Sequence, residues 1–184
     1  MTVLRPWRRA TGSRVSYING YALPHSVRSP GGKDVEAGLW QWFRINARHP
    51  EAALTMPSVA VGDLWQTFSR YTRDYDDFCA RAFGRPLPHT PLTDEPGRLG
   101  LTWRLAREDE GLGFDGLPLL FRLDAQLGVP DGRHYLADCG GRGQCYEQPG
   151  LLCLGHLRGP GRSVRGDWRP PEHKQAEGET YGGT

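Results

Sequence analysis

Between residues 139 and 156 the chain carries Cys139, Cys145, Cys153 and His156, separated by five, seven and two residues and interleaved with glycines. Thiolate sulfur and imidazole nitrogen are the donor set of tetrahedral zinc, and glycine lets a backbone wrap closely around an ion. A metal here would staple a stretch with little apolar content of its own. No Cys-x-x-Cys pair occurs, the spacing matches no common zinc module, and free thiols in a glycine-rich loop are the plainer reading of the same residues. Two further candidate ligands are Cys79 and His89, ten residues apart, which a loop folding back could bring to one metal. The run Gly140-Gly141-Arg142-Gly143 lacks the Lys-Ser/Thr and the following helix of a phosphate loop. Asp109, Glu110 and Asp124 offer carboxylates, but no pattern pairs them across a core, and they are expected as solvated helix charges.

The elements that must position these groups are helical. Residues 56–83 form the stretch around which the rest is organised: Trp65, Phe68, Thr72, Tyr75, Cys79 and Phe83 fall on one face at ~100° per residue. One continuous amphipathic helix is predicted, closed by Gly84 and Pro86, with Cys79 inward as a small hydrophobe. Gln66, Arg70, Arg73 and Asp77 share another face, a docking surface for a protein partner or simply a wet side. A second helix runs from Asp34 through Val35, Leu39, Trp42, Phe43 and Ile45 towards Pro50, a third over 94–110, and a fourth through Leu117, Leu120, Leu123 and Leu127 to Gly128. Asn19-Gly20 between Val15 and Leu23 permits a small hairpin. The expectation is a mainly α single-domain bundle of about four helices with an irregular Gly/Cys-rich C-terminal lobe. Residues 1–32 are expected as an arm, 33–157 as the domain and 158–184 as a flexible tail.

The chain has 184 residues, 38% of them hydrophobic, which suffices for one core. A formal charge of +2 argues for neither nucleic acid nor membrane. No run approaches the ~20 apolar residues of a membrane span, and residues 1–30 hold no apolar signal segment. The default compartment is the cytoplasm, where a metal site or free thiols are expected in place of disulfides. Arg5, Arg8, Arg9 and Arg14 in the arm, and Arg158, Arg162, Arg165 and Arg169 in the tail, could contact RNA with the neighbouring aromatics.

An ordered set of motifs adds a resemblance. Met56-Pro57-Ser58, Asp63-Leu64-Trp65-Gln66, Thr72-Arg73-Asp74-Tyr75-Asp76-Asp77-Phe78-Cys79, Phe83-Gly84-Arg85, Pro88-His89-Thr90-Pro91, Leu117-Pro118-Leu119-Leu120-Phe121-Arg122-Leu123-Asp124 and Cys153-Leu154-Gly155-His156 resemble the bacterial glycine-rich domain-containing protein-like proteins over about residues 38–157. The resemblance implies no particular reaction. It departs at Gln66 and Pro88, where that pattern has histidines, so chemistry resting on those histidines is expected to be weakened. On a continuous helix, positions 66 and 79 stand ~20 Å apart and cannot share an ion, leaving Cys79 or His89 with the C-terminal cluster. The leading functional expectation is a non-enzymatic cytoplasmic accessory or interaction protein with a structural zinc. RNA binding through arm and tail, and an enzyme using Cys79 or His89, are the alternatives.

Overall fold

The computed structural model describes residues 10–27, 32–89, 95–139, 150–158 and 162–163. The architecture is mainly α. Six helices appear among the described residues: α1 (Ala10–Gly20), α2 (Gly32–Arg48), α3 (Val59–Ser69), α4 (Thr72–Ala82), α5 (Pro96–Glu110) and α6 (Leu119–Leu127). Helix α2 is the centre, packed against α1, α3, α5 and α6. Its Leu39, Trp42, Phe43 and Ile45 are almost wholly buried. At Gly38 an added Cβ would lie 2.7 Å from Leu123 Cδ1 and 2.9 Å from Val61 Cγ2, so the crossing of α2 with α3 and α6 is set by the missing side chain.

The predicted single helix over 56–83 is two helices, broken at Arg70 and Tyr71. The aromatic face that suggested one rod explains why it bends. Phe68 and Phe78 meet with ring centroids 5.5 Å apart, and the Trp65 Nε1–H donates to the Tyr75 hydroxyl at 2.7 Å. Ten residues of straight helix would hold each pair about 15 Å apart along the axis. Folding the stretch on itself lets both helices bury their apolar sides in one aromatic cluster. Trp65, Phe68, Tyr75, Cys79 and Phe83 are buried as expected, and Thr72 is exposed.

Where a hairpin was expected around Asn19-Gly20, the chain forms α1, and the Asn-Gly pair ends it. Tyr17, Ile18 and Tyr21 recur at helical spacing. Ile18 is fully buried, and the Tyr21 ring lies 4.8 Å from that of Phe78. Arg14 reaches from α1 to donate to the Phe83 carbonyl, where α4 ends. Gly84 follows with φ +67°, a left-handed conformation that glycine adopts without penalty. A Cβ there would also fall 2.6 Å from the Arg14 guanidinium.

Beyond α6 the described residues form four short strands: β1 (His134–Leu136), β2 (Leu151–Cys153), β3 (Leu157–Arg158) and β4 (Arg162–Ser163). Strands β1 and β2 pair in parallel, with Leu136 opposite Cys153, and β3 and β4 pair antiparallel beside α5. A 3₁₀ turn, Leu154–His156, links β2 to β3. No described helix is long and apolar enough to cross a membrane.

Candidate metal centre

Two strands of three residues each cannot stand alone, and the helical body holds them by two polar anchors. The buried Tyr135 ring packs on Phe121 of α6 at 5.0 Å, and its hydroxyl donates to the Pro57 carbonyl at 2.9 Å. The Arg133 N–H donates to Asp124 Oδ2 at 2.9 Å, just ahead of β1. At the far end of the strands, the Gly155 N–H donates to the Ala137 carbonyl at 2.8 Å. Gly155 approaches so closely that a Cβ would meet Asp138 Oδ1 at 2.9 Å, so a larger residue would push the 3₁₀ turn away from the loop after β1.

That close approach brings three donors together. Cys139 lies on the loop after β1, Cys153 ends β2, and His156 ends the 3₁₀ turn. The two sulfurs and a ring nitrogen lie within 4.8 Å of one another, and Cys139 Sγ is 3.5 Å from His156 Nε2. Both cysteines are buried, beside Leu136, in a small cluster separate from the main core. Burial pushes the Cys153 thiol above its ordinary range, and backbone hydrogen bonds from Cys139 and His156 oppose that shift. A tetrahedral ion with metal–sulfur near 2.3 Å and metal–nitrogen near 2.0 Å has a sulfur–nitrogen edge of about 3.5 Å. The Cys139–His156 separation matches it. Cys139, Cys153 and His156 are the only cluster of metal-ligating side chains among the described residues.

The other candidates are elsewhere. Cys145 lies outside the described residues. Cys79 is in the main core, where burial pushes its thiol up, partly offset by a backbone hydrogen bond from Leu87. His89 stacks edge-on against Trp65 with centroids 4.7 Å apart. Neither joins the C-terminal cluster, and the bend at Arg70 and Tyr71 removes the continuous-helix premise used to separate positions 66 and 79. Gln66, Arg70, Arg73 and Asp77 are all exposed, but the bend divides them between α3 and α4 rather than aligning them on one rod.

The three carboxylates expected in solvent hold the body together. Asp124 is 2% exposed. It accepts from Ser58 Oγ at 2.6 Å and from the N–H groups of Val59 (2.8 Å) and Ala60 (3.2 Å), which begin α3, besides that of Arg133. This is a helix cap supplied from another helix: it takes up donors the first turn leaves unpaired and places negative charge at the positive end. Glu110 does the same for α6, accepting from the Leu119 N–H at 2.6 Å and from Gln41 Nε2 at 2.7 Å, while Gln41 Oε1 accepts from the Leu120 N–H at 3.2 Å. Asp109 pairs with Arg44 at 2.7 Å and with Arg48. A signal for Asp124 was present. It follows Leu120 by four residues and Phe121 by three, so it lies on the apolar side of α6.

The chain belongs to the UCP032817-like family, whose model matches residues 22–157. This corrects the motif resemblance: the match is to that family and not to the glycine-rich domain-containing protein-like proteins. No match was found among curated proteins or solved structures.

Proposed function

We propose that this UCP032817-like protein is a non-enzymatic accessory protein of the cytoplasm whose C-terminal lobe is held together by zinc on Cys139, Cys153 and His156. The observation that carries the reading is the convergence of two buried thiols and one imidazole within 4.8 Å, from three separate short segments. Zinc favours two thiolates and an imidazole, and in a reducing compartment it supplies the cross-link that so small a pair of strands lacks. A fourth ligand completes the tetrahedron. Support for a non-enzymatic role comes from the carboxylates, since Asp109, Glu110 and Asp124 are each committed to structural bonds. Cys79, its thiol pushed up by burial, is a poor nucleophile.

Elemental analysis of the purified chain tests the metal. One zinc per chain is expected, lost in Cys139→Ser and in Cys153→Ser and retained in Cys79→Ser. Substitution with cobalt should give the intense near-ultraviolet absorption of sulfur bonded to the metal. Wild-type protein that purifies without stoichiometric metal, and takes up none when refolded with zinc, overturns the reading.

A further inference from the structure

Cys139 and Cys153 are more than two ligands of one ion. Their sulfurs are no further than 4.8 Å apart, both residues are nearly inaccessible (4% and 6% exposed), and they share a cluster detached from the main core. Cys153 lies in the ladder opposite Leu136, whereas Cys139 comes three positions later, on the loop, outside the hydrogen-bonded strand. A sulfur–sulfur bond near 2.0 Å therefore needs movement of loop backbone and not of a paired strand. Cys79 has no such partner: among the described residues it is the only cysteine of the main core.

We propose that Cys139 and Cys153 form a redox pair, oxidised by a small peroxide to a disulfide that expels the metal and takes over its cross-link. The proposal rests on the metal reading above. One thiolate attacks a peroxide oxygen, the O–O bond breaks, and a sulfenic acid forms as hydroxide leaves. The second thiolate attacks the sulfenic sulfur, an S–S bond forms as the S–O bond breaks, and a second hydroxide departs. Two electrons pass from the sulfur pair to the peroxide, and two protons from solvent convert both hydroxides to water. Zinc keeps its oxidation state and leaves, because only His156 of the three donors remains. The two short strands stay tied at the same point, by a bond in place of an ion. Burial of both sulfurs leaves little room for an oxidant as bulky as glutathione disulfide, so a small peroxide is the oxidant tested.

The test is a titration of the zinc-loaded full chain with hydrogen peroxide, following zinc with a chromogenic chelator and mapping the peptides. Expected are release of one zinc per chain, loss of two thiols, a mass lower by two hydrogens, and a peptide joining Cys139 to Cys153. Dithiothreitol with added zinc should reverse all four, and glutathione disulfide should release far less zinc over the same time. Zinc release with sulfinate at either cysteine, a cross-link from either to Cys145, or retention of zinc in excess peroxide would overturn the redox pair while leaving the metal reading intact. A chain that binds no zinc at all sinks the metal reading. The peptide map then still decides whether the two sulfurs join.

Discussion

Asp124 takes donors from two separate parts of the chain, the first turn of α3 and the residue before β1. Replacing it with alanine leaves those donors buried without an acceptor, a loss of about 3 kcal/mol given the worth of hydrogen bonds to charged groups. Urea denaturation of Asp124→Ala should show that loss, and a change below about 1 kcal/mol would mean that water replaces the carboxylate. Two buried groups give a prediction for pH. Burial pushes both the Tyr75 hydroxyl and the Cys79 thiol up, so the fold favours their neutral forms. A raised folded pKa gives stability that is complete below the unfolded value, about 8.5 for a thiol, and is lost as pH climbs through it towards the folded value. The urea midpoint should hold steady near pH 7–8 and fall above about pH 9; a midpoint that rises over that range contradicts the assignment. Cys79 should also react with iodoacetamide far more slowly in native than in unfolded protein. At this scale the thiols and the imidazole were visible from residue type and spacing, because metal chemistry uses few side chains. Asp124 was missed, because a carboxylate on a helix is usually solvated and only its position on the apolar side of α6 said otherwise.

Helices α2, α5 and α6 lie close to their predicted spans, since each has an apolar stripe and a glycine or proline near an end. The bend between α3 and α4 was not legible. Periodicity continues through Arg70 and Tyr71, and nothing local breaks it; the break comes from Phe68, Tyr75 and Phe78 gathering into one cluster, with centroids 5.2 Å and 5.5 Å from Phe68. Helix α1 was lost to the opposite error, a local turn signal in Asn19-Gly20 outweighing the spacing of Tyr17, Ile18 and Tyr21. The end of α4 offers a test of how α1 is docked. Gly84→Ala forces a side chain into a left-handed backbone, costing about 1–2 kcal/mol, and also displaces Arg14. Arg14→Ala reproduces only the second effect, so it should cost less than Gly84→Ala. Equal losses in thermal unfolding would show that backbone strain contributes little.

Across the whole molecule, the mainly α class and the irregular C-terminal lobe could be read from pattern, but the joint between them could not. It depends on Tyr135 reaching Pro57 and on Asp124 reaching Arg133, pairings between residues far apart in sequence or hidden by burial. Tyr135→Phe should cost about 1 kcal/mol, and hydrogen exchange should quicken in β1 and β2 more than in α2; uniform quickening would place the hydroxyl's contribution in the body as a whole. The lobe is therefore no detachable module. A polypeptide stopped at Gly128 keeps α1 to α6 yet uncovers the side of Phe121 that Tyr135 had sheltered and strips the Pro57 carbonyl of its donor, so such a fragment should be less soluble and melt lower than the intact chain.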